Sequence, residues 1–482
     1  MISVWQFRRF WRLSVLGAAV TGLAGCAVMG PDYVRPATIQ PPPAWSAPLL
    51  PHDGSPQAMT DWWRTFWEAG GDHTGFPALL ATTLEHNTAL ESAQGAIDAA
   101  RATVTMRGGL SPLQGSVGGT LLRSGNPPNP AVPTQTSRSV AVDASWEIDL
   151  FGRVRRNAEA AGARLAARTA DWHAMRVTLA AEVATLYNEW RGCVRVARSM
   201  VQDVASRQQT ATITYGAVAA GWRAPAEQEL ATASLADARS QLTAQQASCD
   251  RIVNGLATLT GKLSSTEVRQ HLVEPEQTAA PHVVPFSVTT LPAQLLAQRA
   301  DLASAEQELV AASAEIGVAE AERYPRLSLL GNLGVGVSDL AGGKTVDQRP
   351  WGLGPALSLP LLSATLTDAQ VQAATARYRM AQAGYRRALL NAVQEVENSM
   401  VNLASTRQRA ADARAAAEGY ARFLATSTSH WQQGGISLLT LEETRRIAMS
   451  AERAMIQQQH QEIQQWINLY KALGGGWQES AS

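Results

Sequence analysis

Residues Val140–Gly152 read V-A-V-D-A-S-W-E-I-D-L-F-G. Val140, Val142, Ala144, Trp146, Ile148 and Leu150 alternate with Ala141, Asp143, Ser145, Glu147 and Asp149. A period of two puts the first set on one side of a strand and the second on the other, an apolar face backed by a small or polar one. The alternation predicts a strand over about 139–151 that runs, through Gly152 and Arg153, straight into a helix. Asp143, Glu147 and Asp149 share the polar face and are expected to line water.

Three more segments carry the same signal. Leu327, Leu329, Leu333, Val335 and Val337 alternate over about 326–337, and Trp351, Leu353, Leu357, Leu359 and Leu361 over about 349–361. A weaker partner lies at 114–123, and the links at 124–138 and 338–350 are rich in Pro, Gly, Asn and Ser, as external loops are. Strands of about ten residues with one apolar face fit an outer-membrane barrel. The alternation alone fits a half-buried soluble sheet equally well.

Between the strands lie long helical stretches. Residues about 152–215 contain no Pro, and Leu179, Val183, Leu186, Trp190, Cys193, Ala197, Met200 and Val204 recur at alternating spacings of four and three. That is a coiled-coil seam. After Gly221 a second helix is expected over about 222–260, with Pro225 at its start and a seam of Leu235, Ala238, Leu242, Gln245, Cys249, Ile252, Leu256 and Leu259. At 1.5 Å per residue the two would extend about 95 and about 55 Å. The plan recurs with helices over about 292–323, 364–430 and 437–473.

The recurrence is a duplication. Leu90, Ser92 and Ala93 return as Leu302, Ser304 and Ala305; Pro112 as Pro325; and Glu182-Val183 as Glu395-Val396. Gly221 pairs with Gly435, and Leu259 and Gly261 with Leu473 and Gly475, so the offset drifts from 212 to 214. Two similar halves, 59–275 and 286–477, follow an N-terminal region and precede a short tail at 478–482. Such a repeat implies pseudo-symmetry about an axis.

The first 25 residues read as an export signal: Arg8, Arg9 and Arg12, then an apolar run from Leu13 to Gly25 too short to span a bilayer. Leu23-Ala24-Gly25-Cys26 looks like a lipobox, in which Cys26 becomes the acylated mature N-terminus of an extended segment over 26–58. Several acyl chains give stable anchoring, at roughly 0.8 kcal/mol for each buried CH₂. Ala27 follows the cysteine where retention in the inner membrane favours Asp, so the outer membrane is expected. With 41 basic and 41 acidic residues in the whole chain, charge points to no nucleic-acid partner.

Cys193 lies 28 residues before Gly221 and Cys249 lies 28 after it, at one height on seam positions of a hairpin that turns there. In an oxidising compartment this predicts a disulfide, with two buried thiols as the alternative. No histidine stands at ligand spacing from either cysteine, and no metal or cofactor is expected. Enzyme signals are weak. Ser338–Thr345 resembles a phosphate-binding loop only in ending Gly343-Lys344-Thr345, and strand rather than helix follows it. Glu182 and Glu395 are duplication partners rather than a catalytic pair, and Trp62, Trp63 and Trp67 read as packing anchors.

Taken together the chain resembles the TolC-like outer-membrane factor family, in its acylated OprM/NodT branch. The likeness is carried by Gly30-Pro31-Asp32-Tyr33-Val34-Arg35-Pro36, Trp62-Trp63, Trp146–Arg153, Pro292 through Arg299-Ala300-Asp301-Leu302 to Tyr324-Pro325, and Leu469–Trp477. It implies an α+β membrane protein: a homotrimer in which each chain gives four strands to a twelve-stranded outer-membrane β-barrel continued by a periplasmic α-helical barrel. It implies hairpin tips near Tyr215, Gly221, Trp222 and Arg223, and near Trp431, Gly434, Gly435, Ile436 and Ser437, that meet a periplasmic adaptor and, through it, an inner-membrane pump. Some relatives carry acidic gate residues in the second tip. Here none occurs between Glu418 and Glu442, so any constriction is expected to rest on packing and on Arg223 or Arg422. The expected role is passive, non-enzymatic conduction of small molecules. A protein-secretion channel and a non-conducting coiled-coil lipoprotein remain open alternatives.

Overall fold

The computed structural model describes residues 28–36, 44–47, 74–108, 113–125, 134–273, 299–340, 343–360, 364–475 and 477. The signal segment, Cys26, Trp62, Trp63, Trp67, most of the 26–58 segment and residues 292–298 of the helix expected over about 292–323 lie outside them.

In chain order the elements are α1 (Gly75–His86), α2 (Thr88–Gly108), β1 (Gln114–Ser124), β2 (Gln135–Ile148), α3 (Arg153–Ala219), α4 (Pro225–Leu259), α5 (Ser265–Arg269), α6 (Ala300–Ala321), β3 (Arg326–Leu340), β4 (Lys344–Gln348), β5 (Trp351–Ser358), α7 (Ala364–Gln432) and α8 (Leu438–Ala472). The four hairpin helices α3, α4, α7 and α8 begin and end within four residues of the expected positions, and α6 is described from Ala300 within the expected 292–323. The strands need correction. The second starts at Gln135 and stops at Ile148, so its first residues come from the stretch read as loop and Asp149 lies beyond its end. The 338–350 link is largely strand, since β3 runs to Leu340 and β4 pairs back onto it. Alternation was an incomplete guide there because polar residues occupy both faces near the strand ends.

All pairing is antiparallel, in the order β1-β2-β3, with β4 and β5 both against β3. They are one interrupted fourth column: β4 meets Gly336–Leu340 and β5 meets Arg326–Leu333. The break falls at Arg349-Pro350, where proline has no N–H to give the ladder but its carbonyl still accepts from Gly334 N at 2.8 Å.

The chain forms two compact units that do not follow the repeat boundary, because each takes pieces from both halves. One comprises Met1–Ala37, Ala96–Thr169 and Ser304–Arg386, and contains every strand among the described residues. There residues 29–35 are tied down. Met29 N donates to Phe151 O at 3.0 Å. The buried Arg156 guanidinium donates to Met29 O, Gly30 O and Asp32, and Arg35 forks onto Glu306. Arg164 and Arg168 reach Glu315 and Glu308 across the α3–α6 contact, where Ala160, Ala163, Ala311 and Ala314 let the two helices approach closely.

The other unit comprises Thr38–Gly95, Ala170–Ala303 and Arg387–Ser482. It holds the larger core, in which Val183, Tyr187, Leu256, Val396, Leu403 and Trp466 are all buried. The two hairpins in it repeat bond for bond. Trp222 N reaches Ala217 O and Gly435 N reaches His430 O, both at 2.8 Å, while Gly221 N reaches Val218 O and Gly434 N reaches Trp431 O, both at 2.9 Å. Each turn places one glycine at positive φ, +75° at Gly221 and +78° at Gly434, the left-handed closure that ends a helix. The equivalence is therefore Gly221 with Gly434 and Gly261 with Gly474. The offset stays at 213 through the second helix of each hairpin instead of reaching 214.

Candidate functional site: the sheet faces and the hairpin tips

The register sorts the sheet into two unlike faces. On one, Val117 opposes Val142, Val142 opposes Leu333, and Leu333 opposes Trp351. Trp146 and Leu329 form the row two steps away, then Ile148, Leu327 and Leu357. Val117, Val142, Leu333, Trp351, Trp146 and Leu357 stand exposed, Trp351 by 77 %, while Ile148, Leu327 and Leu329 are half-buried. The other face carries Ser116, Asp143, Asn332 and Gly352 in a single row, with Gly118, Ala141 and Gly334 in the next. Apart from Leu122, Leu330, Leu340 and Val346, that face is built of glycine, alanine and polar residues. A contiguous apolar face of this size needs a non-aqueous partner, and a polar one needs water.

The three acidic residues separate. Asp143 sits in the middle of the polar face, between Ser116 and Asn332. Glu147 is on the same face but is clamped by Arg153, whose Nε donates at 2.9 Å while Nη2 reaches the second oxygen. Asp149 has left the strand. Its carboxylate accepts from Val154 N at 3.1 Å and Arg155 N at 2.9 Å, capping the N-terminus of α3. The expected trio is thus one exposed strand carboxylate plus two groups that fix the strand-to-helix corner. Phe151 stacks on Tyr324 beside that corner, with centroids 4.7 Å apart.

Cys193 and Cys249 are joined, with Cα atoms 5.6 Å apart, on the facing seams of α3 and α4. Beyond them the hairpins run to their tips. Tyr215 and Trp222 are exposed, the latter by 81 %; Trp431 and Ile436 are half-buried. Arg223 pairs with Glu227 at 3.2 Å, and Ser437 Oγ accepts from Thr440 N at 3.1 Å to cap α8. The tips enclose a cavity of about 240 Å³ that reading the sequence did not single out. Ile213, Leu230, Leu438 and Leu439 give it apolar walls, and Arg207 and Arg446 add charge. The adjacent Leu438-Leu439 directly after a capping serine was the available signal. Arg422, proposed as a gate group, is exposed on α7 and does not line this cavity.

The sequence pattern of the family described as outer membrane efflux protein matches residues 79–262 and 291–475, one copy on each half of the duplication. The chain belongs to the outer membrane efflux protein family. It is similar to the solvent efflux pump outer membrane protein SrpC of Pseudomonas putida, at 26 % identity over 472 residues, covering 96 % of this chain and 98 % of that one. Outer membrane protein OprJ of Pseudomonas aeruginosa is 26 % identical over 475 residues, covering 98 % and 97 %. The fold matches the solved CmeC outer membrane channel of Campylobacter jejuni with a TM-score of 0.79 at 21 % identity, over 95 % of this chain and 96 % of that one. Within this family the duplicated match assigns each half one hairpin and one pair of strand columns.

Proposed function

We propose that three copies of this chain close into one outer-membrane channel, which passively conducts small molecules delivered by a periplasmic adaptor and an inner-membrane pump. The observation that carries the reading is the sheet. It is four columns wide, apolar on one face and polar on the other, and among the described residues β1 and the β4/β5 column each leave an edge without a strand partner. An open edge in hydrocarbon leaves N–H and C=O groups unsatisfied at several kcal/mol each. Four strands are too few to close alone, and three copies supply twelve. Asp143, Ser116 and Asn332 then line the water-filled side, and Trp351, Leu353 and Trp146 meet lipid.

Lipid attachment at Cys26 fits this arrangement. Val28 is two residues on, within about 7 Å of chain, and Met29 is fastened to Phe151 at the strand-to-helix corner. An acyl anchor there inserts at the inner margin of the apolar band. The hairpin tips, with Trp222 and the small apolar cavity, form the adaptor-facing end. The relatives' roles in solvent efflux support a small-molecule cargo over a secreted protein.

Reconstitution into planar bilayers tests this reading. Discrete conductance steps whose cation preference falls on Asp143→Asn are expected; absence of conductance from correctly folded protein would reject it.

A further inference from the structure

The apolar sheet face does not end the same way at its two margins. At the strand-to-helix margin it closes on Ile148, Leu327 and Leu357, next to the Phe151–Tyr324 stack. At the opposite margin it ends in arginines. Leu121, Arg138, Val337 and Asp347 form one row, and Arg123, Thr136, Asp339 and Thr345 the next. Arg349 directly follows β4 and shares a surface groove with Leu121, Arg138, Val140 and Val337.

The charges there are not self-cancelling. Asp339 is engaged twice, by Arg138 Nη1 at 3.5 Å and by Thr345 Oγ1 at 3.0 Å. With Asp347 counted as well, three arginines and two aspartates sum to one positive charge. All three arginines are exposed, Arg138 by 65 % of its side chain. A guanidinium beside exposed valines and leucines suits a ligand with an anionic head and an apolar body. Its planar fork matches phosphate oxygens in pairs.

We propose that Arg123, Arg138 and Arg349, spread over successive rows, bind the phosphate groups of an outer-leaflet lipid, whose acyl chains lie along Val140, Val142 and Val335. This rests on the reading that the sheet spans the membrane with this margin outward. The row spacing supports it. From Leu327 to Val335 the apolar rows cover about 27 Å along the strand at 3.4 Å per residue, which at a tilt of about 35–45° spans about 19–22 Å of a lipid band about 25 Å tall. Arg138 and Arg123 fall in the next two rows, and Arg349 borders the last apolar one.

The test uses full-length protein in a neutral detergent, titrated with bis-phosphorylated lipid A, with the same lipid stripped of phosphate, and with inorganic phosphate as competitor, bound lipid being read by native mass spectrometry. Wild type is expected to retain the phosphorylated lipid in preference. The R123Q/R138Q/R349Q variant should bind it at least about tenfold more weakly, while K344Q, on the opposite face at the same height, should leave binding unchanged. Conductance of the triple variant should match wild type, which shows that the channel has assembled. Equal retention of the stripped lipid, unchanged binding by the triple variant, or full displacement by inorganic phosphate would each overturn the assignment. Failure of wild type to conduct would remove the membrane-spanning reading and this site with it.

Discussion

The two hairpins share a backbone and differ in what locks it. At the 213-residue offset Tyr187 corresponds to Met400, Trp190 to Leu403, Val253 to Trp466 and Leu256 to Leu469, and all eight are buried. Bulk has changed sides: the first hairpin places its aromatics on the long α3, and the second places Trp466 on the shorter α8, opposite Met400. The filled volume is kept while the residues exchange, which is the kind of substitution a packed core tolerates. Cys193 and Cys249, however, correspond to Thr406 and Glu462. The first hairpin has a covalent pin at a height where the second has a hydroxyl and a carboxylate. Burial pushes Glu462 above the usual glutamate range, opposed by Arg407 and Arg414, and Arg407 Nε stands 3.8 Å away. One duplicated frame therefore holds a rigid hairpin and one held by weaker, titratable contacts.

The largest expected effect sharpens this contrast. Reduction, or the C193S/C249S pair, should destabilise the helical unit by about 2–4 kcal/mol, the usual contribution of a cross-link closing a long loop. The shift is read as the difference in thermal unfolding with and without reductant. Identical melts would mean that the pin adds nothing and the hairpins are equivalent.

Next comes the contact between the hairpins. A Cβ on Gly192 would lie 2.6 Å from the His460 ring, so Gly192→Ala should cost about 1–3 kcal/mol through overpacking. The cost should shrink in a His460→Ala background. Additive effects in that double-mutant cycle would show that α3 and α8 do not meet there as described.

The same histidine gives a pH prediction. His460 exchanges hydrogen bonds with Asn188, and burial, with Arg195 and Arg191 nearby, lowers its pKa from 6.5 to about 3. A depressed histidine is protonated more readily in the unfolded chain. Its share of stability is present above pH 6.5 and is lost as pH falls toward about 3. Glu462 has the opposite sign: a raised carboxyl pKa means that stability declines as pH rises through its folded value. His460→Gln should flatten the acid limb of a stability–pH curve, and Glu462→Gln should flatten the other side. An acid limb unchanged by His460→Gln would remove the buried imidazole from the account.

The smallest effects are the turns. Gly221→Ala and Gly434→Ala each force a side chain into left-handed backbone, with no neighbour within 4 Å, so each should cost only about 1 kcal/mol. Near-equal losses would confirm that the turns match at an offset of 213; a large inequality would break the equivalence.

Much of this was legible in the sequence, for stated reasons. The seam through Leu179, Val183 and Trp190 exposes its periodicity over many turns, so the long helices and the Cys193–Cys249 height could be read directly. Strand margins could not be. Near Gln135 and Leu340 polar residues fall on both faces, and only the ladder shows that pairing continues. Asp149 was misplaced because alternation carries on past Ile148 in the sequence while the chain itself turns to start α3. The tip cavity is not legible in the sequence because its walls come from three separate stretches that only tertiary packing brings together.

The central claim is that the sheet is an incomplete arc whose edges are satisfied by sister chains. Native mass spectrometry of the unheated protein released from detergent tests it most directly. A mass of three acylated chains is the expected result. A stable, folded single chain with both sheet edges unprotected in amide exchange would contradict it.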